Sequence, residues 1–174
     1  MAYLKGCMDP LHLLDLSRRF NYTLILSVLT LASFGTNCQS EEAVKKDAMA
    51  LEHRYFRAIE YGKLNEVEAC LAEGLPVDRK DPRGNSGLMH AVDHENFNLV
   101  SFLIEKGANV NHRNLVGETA LYRAVFRGNL SLVKFLVEKG AEIKIKNIEG
   151  ISPIHLADER GEETIQNFLE KSKQ

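Results

Sequence analysis

Leu99-Val-Ser-Phe-Leu-Ile-Glu-Lys-Gly-Ala-Asn-Val-Asn111 is followed, 33 residues later, by Leu132-Val-Lys-Phe-Leu-Val-Glu-Lys-Gly-Ala-Glu-Ile-Lys144. Each stretch is an apolar helical run stopped by a glycine, and the same offset extends outward in both directions. Gly74, Gly107 and Gly140 are 33 apart, as are Gly84, Gly117 and Gly150, and Phe102, Phe135 and Phe168. Gly62, Gly128 and Gly161 share the lattice, with Glu95 at the one substituted place. Three independent glycine or aromatic ladders with a common period mark a chain built from repeats.

Each unit follows a physical logic. Asp81, Asn114 and Asn147 stand three residues before a glycine, the pattern of a turn closed by an Asx side chain. Two residues after that glycine comes Ser86, Thr119 or Ser152, whose hydroxyl is placed to cap a helix. Pro153 follows its cap, where a fixed φ suits the first helical position. A short helix comes next, with apolar Leu88, Ala91 and Val92, then Leu121, Ala124 and Val125, then Ile154 and Ala157. After a bend, a second apolar helix ends at Gly107 or Gly140, which supplies the left-handed terminal residue.

This turn–helix–helix unit resembles the ankyrin repeat. The family motif Thr-Pro-Leu-His-x-Ala stands nearly complete as Ser152-Pro153-Ile154-His155-Leu156-Ala157. It reads Thr119-Ala120-Leu121-Tyr122-Arg123-Ala124 one unit earlier, and Ser86-Gly87-Leu88-Met89-His90-Ala91, the most altered copy, before that. The resemblance implies an all-α ankyrin-repeat solenoid over residues 51–174, with units at about 51–80, 81–113, 114–146 and 147–174. The outer two units are expected to act as polar caps, because a stack needs a solvated surface where no neighbour covers it. His155 matches the motif histidine, which the resemblance implies is structural and bonds the backbone of adjoining turns.

The front of the chain differs. Lys5, Arg18 and Arg19 precede Tyr22-Thr-Leu-Ile-Leu-Ser-Val-Leu-Thr-Leu-Ala-Ser-Phe34, 13 residues without a charge. That length suits a signal-peptide core and is short of the roughly 18–20 residues that span a bilayer. Small residues then lead to Cys38, and the arrangement resembles a bacterial lipoprotein signal. The resemblance implies removal of residues 1–37, lipidation of Cys38, and a tether over 38–50. The family prefers Leu and then Gly or Ala where this chain has Gly35 and Asn37. Ser33-Phe34-Gly35 offers small residues for a simple signal peptidase, and Met8 an alternative start. An uncleaved anchoring helix, or a buried helix of the fold, are the other readings of the run. The expected location is the cell envelope, lipid-anchored or periplasmic; an uncleaved soluble chain would be cytoplasmic.

The 174 residues carry 22 basic and 24 acidic side chains, a net charge of −2, which exerts no general pull toward nucleic acid. Cys7, Cys38 and Cys70 are far apart and make neither a zinc spacing nor a disulfide framework. Cys70 occupies an apolar helix position and reads as a small buried hydrophobe. His90 and His94 are four apart on one helix, with Asp93 and Glu95 as the only nearby carboxylates, so no metal site is expected. No nucleophile elbow, phosphate loop or Cys–His pair is present, and neither an enzyme nor a bound cofactor is expected.

What remains is a surface. Ankyrin-like stacks bind proteins on the concave side formed by turn tips and first helices. Carried over by position, that side comprises Lys80, Arg83, Asn85, Asp93 and His94 in the second unit, and Arg113, Leu115, Val116, Glu118, Phe126 and Arg127 in the third. The fourth adds Lys146, Ile148, Glu149, Ile151, Glu159 and Arg160. Leu115, Val116, Phe126, Ile148 and Ile151 are apolar where a solvated loop is normally polar. They read either as a binding patch rimmed by Arg and Glu or as satellite core packed on adjacent turns. The function expected is a non-catalytic, monomeric protein-binding module. The alternative is a membrane-held scaffolding array without a discrete partner.

Overall fold

A computed structural model of the chain describes residues 38–172, with side chains from residue 45 onward. The expected signal segment, 1–37 with its apolar run 22–34, lies outside the described residues, as does the Cys38 side chain. The chain divides at Lys46 and Asp47, and the second unit, Asp47–Gln174, holds the repeats.

Eight helices and no strand are formed among the described residues. They are α1 (Cys38–Glu60), α2 (Leu64–Ala72), α3 (Gly87–Asp93), α4 (Phe97–Glu105), α5 (Ala120–Phe126), α6 (Leu130–Glu138), α7 (Pro153–Glu159) and α8 (Glu163–Lys171). The stretch 38–50, expected as a tether leading into a helix, is itself helical within α1. From α3 onward each short inner helix packs on the outer helix after it, and on the inner helices of the units beside it. This is the all-α helical repeat architecture expected from the 33-residue lattice.

The core is a column of equivalent positions. Leu88, Ala91 and Val92 of α3, and Leu121, Ala124 and Val125 of α5, are buried against Leu99, Val100 and Leu103 of α4 and Leu132, Val133 and Leu136 of α6. Each fully buried Leu or Val contributes about 1.5–3 kcal/mol, which is why short helices that would melt alone persist here. The phenylalanine ladder lies on the outer helices. Phe102, Phe135 and Phe168 pack half-buried on the core. A lysine ammonium stands over each ring: Lys106 at 5.1 Å, Lys139 at 5.4 Å and Lys134 at 5.8 Å.

The turns are closed as the Asx pattern predicts. Asp81 Oδ1 accepts from the amides of Arg83 and Asn85 at 2.8 and 2.7 Å. Asn114 Oδ1 accepts from Val116 and Glu118 at 3.1 and 2.8 Å, and Asn147 Oδ1 from Glu149 and Ile151 at 3.0 and 2.9 Å. Successive turns are joined tip to tip, Leu115 donating its amide to the Arg83 carbonyl (3.2 Å) and Ile148 to that of Val116 (3.0 Å). Ser86 and Thr119 cap α3 and α5 through the amides of Met89 and Tyr122.

Two local expectations are corrected. Ser152 makes no side-chain cap on α7. Its Oγ instead shares a 2.9 Å hydrogen bond with His155 Nδ1. His155 is therefore held within its own turn and exposed, rather than bonded to neighbouring backbone. A histidine contact between turns is made elsewhere, by His112, whose Nε2 lies 2.7 Å from the Gly84 carbonyl oxygen.

Glu95, the substituted place in the glycine lattice, adopts φ +52, beside φ +69, +70 and +69 at Gly62, Gly128 and Gly161. It is the only non-glycine residue with positive φ among the described residues.

Candidate functional site

Turn tips and inner helices form one face of the Asp47–Gln174 unit. The Asx-closed turns hold residues 80–85, 113–118 and 146–151 at the tips, and inner helices α1, α3, α5 and α7 line the remainder. Repeat equivalence places Glu60, Asp93, Phe126 and Glu159 in one row and Tyr61, His94, Arg127 and Arg160 in the next.

The apolar residues singled out from sequence separate into two groups. Leu115, Ile148, Phe126 and Val116 are exposed, at 74, 72, 51 and 43 %. Ile151 is half-buried against the core and belongs to the packing. The Arg160 guanidinium stacks over the Phe126 ring, 4.7 Å from its centre. Lys80, Arg83, His94, Arg113, Arg127, Lys146, Glu149, Glu159 and Arg160 are solvent-exposed.

Asn85 is not. It is 4 % exposed, because its side chain bridges adjacent turns, donating to Asp81 Oδ2 at 2.8 Å and accepting from Asn114 Nδ2 at 2.9 Å. Asp93 and Glu118 are half-buried and committed to a residue the sequence reading passed over, Arg123. One terminal nitrogen of Arg123 pairs with Asp93; the other donates to Glu118 Oε2 and Asn85 Oδ1, both at 3.0 Å. Its Nε is buried without a hydrogen-bond partner among the described residues. Arg127 stands 3.8 Å from Asp93. The available hint was positional: Arg123 continues the row of Arg57 and His90 along the inner helices of the first three units, the fourth having Leu156 there.

Sequence reasoning also missed the first unit's share of the face, since that unit lacks an opening turn. A groove of about 340 Å³ lies between α1 and α3, lined by His53, Phe56, Arg57, Glu60, Tyr61, His90 and His94. His90 does not point freely into it. Its Nε2 lies 3.0 Å from Asp81 Oδ2, and its ring packs 5.1 Å from that of Phe56. Among the described residues no three His, Cys, Asp or Glu side chains are grouped to hold a metal ion. Cys70 is fully buried, with Arg54 Nε 3.2 Å from its Sγ.

Burial tends to raise the Asp81 carboxyl, but hydrogen bonds outweigh it. The side chain and amide of Asn85, His90, and the Arg83 amide hold it below the ordinary value of 3.8. Burial foremost pushes the Tyr122 phenol up, reinforced by Glu118, Glu149 and Glu159, and likewise the Tyr55 phenol, reinforced by Asp78 and Cys70. Both tyrosines are neutral packing elements.

A family model described as ankyrin repeats, in three copies, matches residues 55–147. The chain belongs to the ankyrin-repeat family. No curated protein matches it. The match covers the first three units, from within α1 to beyond the end of α6, and ends at Asn147, where the turn of the fourth unit begins. Ankyrin repeats generally mediate protein–protein interaction, and the match is to no enzyme family. In this ankyrin array, Leu115, Val116 and Ile148 are exposed on the turn tips, Phe126 at the end of α5 and Tyr61 just past α1, while Met49 is exposed within α1 and Phe97 at the start of the outer helix α4. No helix among the described residues is long and apolar enough to cross a membrane.

Proposed function

We propose that this chain is a non-catalytic protein-binding module, exported to a bacterial envelope and held there by a lipid on Cys38, that docks one partner protein on the face built by its turn tips and inner helices. The observation that carries the binding face is the placement of Leu115, Val116, Phe126 and Ile148. These four, of seven exposed large apolar side chains among the described residues, share this face, while Phe97 opens the outer helix α4. Leu115, Val116 and Ile148 stand on turns tied to one another by backbone bonds, and Phe126 ends α5, so binding requires little reorganisation of the protein. Arg127 and Arg160 rim the apolar positions and add charge-dependent orientation. Export and lipidation rest on the basic head, the apolar run 22–34 and the small residues before Cys38.

Two experiments test the proposal in the native host. A photocrosslinking residue placed at His94 or Val116 should give a discrete adduct that the same residue at Lys134, on an outer helix, does not. Adducts of equal yield from both faces, or from neither, would remove the binding face. The intact mass of the protein in membrane and soluble fractions tests the anchor. A membrane species beginning at Cys38 with acyl chains supports it, and a full-length soluble species overturns it.

A further inference from the structure

Two rows run along the turn tips, each with one residue per unit at the 33-residue period. Pro82, Leu115 and Ile148 form an exposed apolar row. Lys80, Arg113 and Lys146, two positions earlier in each turn, form an exposed basic row beside it. The rows are held in register by the backbone bonds between adjacent tips, from Leu115 to Arg83 and from Ile148 to Val116. An Arg113 guanidinium nitrogen donates to the Lys146 carbonyl at 3.0 Å, which ties the basic row to its own scaffold.

The charges on this strip do not cancel. Among the described residues no ion pair neutralises Lys80, Arg113 or Lys146. In the same turns four basic side chains, Lys80, Arg83, Arg113 and Lys146, stand against three carboxylates, Asp81, Glu118 and Glu149, and Glu118 is paired by Arg123 from the inner helix, so the turns keep a positive excess. Among the described residues Glu149 makes no ion pair. A chain of net charge −2 therefore presents a local cationic strip along an apolar ridge. Solvated lysines alone would need no apolar neighbours, and an apolar satellite core would not leave Leu115 and Ile148 more than 70 % exposed.

We propose that the turn tips dock an acidic segment of the partner protein, its apolar side chains seated along Pro82, Leu115 and Ile148 and its carboxylates against Lys80, Arg113 and Lys146. This rests on the protein-binding reading above and names the chemistry of the partner. Stacked helices lie about 8–10 Å apart, and an extended chain advances about 3.3 Å per residue. The segment therefore carries an apolar residue about every second or third position if extended, or about every fifth to seventh if helical. An anionic membrane is the less suitable occupant. Glu149 on the strip, with Glu159 on the inner-helix face, would be driven against lipid phosphates, whereas a peptide can place uncharged groups there.

The test selects a randomised twelve-residue display library on the full-length protein and reads the enriched sequences. Acidic sequences with recurrent apolar positions are expected. Their affinity should fall at least tenfold in Lys80→Glu/Arg113→Glu/Lys146→Glu, and this gap should narrow above about 0.5 M salt as screening shortens. Leu115→Asp/Ile148→Asp should remove binding with the melting temperature kept within about 2 °C. Neutral or basic winners, no enrichment, or indifference to both variants would overturn the proposal. So would binding to vesicles of phosphatidylcholine and phosphatidylserine that the charge reversal abolishes while no peptide is captured. If the His94 and Val116 crosslinks persist in that case, the binding module stands and only the acidic class fails; if they too are absent, the parent reading fails.

Discussion

Replacing Gly87 with Ala should destabilise the array, although the same change normally favours a helix. Gly87 opens α3 at the position that Ala120 and Pro153 hold in the following units, so a repair toward the family pattern would place a side chain there. A Cβ on Gly87 would overlap the Tyr55 hydroxyl, and would lie 2.8 Å from Tyr55 Cζ and 3.0 Å from Ile59 Cδ1. Tyr55 and Ile59 are wholly buried, and the Tyr55 hydroxyl donates to the Val77 carbonyl at 3.2 Å, so the ring has little room to yield. Helix propensity would return up to about 1 kcal/mol. Overpacking costs about 1–3 kcal/mol, and a displaced phenol leaves a buried group unpaired at about 1–3 kcal/mol. The expected net loss is about 2–3 kcal/mol, read as a lower urea midpoint of the full chain at unchanged slope. A double-mutant cycle with Tyr55→Phe isolates the cause, because removal of the hydroxyl frees the ring to shift. Gly87→Ala should then cost about 1–2 kcal/mol less than in the parent. A gain in stability for Gly87→Ala beside an intact Tyr55, or a cycle that closes without coupling, would refute the argument.

Glu95→Gly should stabilise the chain by about 0.5–1 kcal/mol by relieving a left-handed backbone, less what the exposed hydrogen bond from Asn129 Nδ2 to Glu95 Oε2 at 2.9 Å contributes; an unchanged or lower urea midpoint counts against it. Asp81→Asn keeps the turn, since Asn already closes the next two, but removes a carboxylate whose folded pKa lies below its unfolded one. The stability contributed by ionised Asp81 is present above about pH 4 and lost as pH falls through its folded value, so parent and variant midpoints should converge as pH falls below about 4, and parallel curves would contradict the assignment. Phe126→Asp should change stability by less than about 0.5 kcal/mol, whereas Ile151→Asp should cost about 2 kcal/mol or more, because only Ile151 packs on the core; equal melting curves would undo that division.

Much of the architecture was legible because its determinants are local and recur. The Asx turn needs a side-chain oxygen and amides two and four residues on, and the caps at Ser86 and Thr119 need an amide three residues on. The outer helices α4 and α6 need an apolar stripe and a cap three residues before it, supplied by Asn96 and Asn129, whose Oδ1 accepts from the Leu99 and Leu132 amides at 3.1 Å. Ser152 shows the margin of such reasoning: the same hydroxyl in the same place is diverted by His155, one helical turn away. The binding face was legible as a set of positions, but the state of each residue was not. Asn85 and Ile148 look alike as turn residues in sequence. One is buried in a bridge to Asn114, 29 residues away, and the other is largely exposed.

By itself, then, the sequence determined the 33-residue unit, the order of turn, inner helix and outer helix, and the membership of the core column, because period and capping are short-range properties. Which face residues are spent on the fold follows from contacts between positions distant in sequence. Arg123 gathers Asp93, Asn85 and Glu118 from as far as 38 residues away, Tyr55 explains the glycine at 87, and Ile151 is drawn into the packing while Leu115 and Ile148 are left outside. Each of these depends on how one unit sits on the next, and stacking brings together side chains whose separation in sequence carries no local signature.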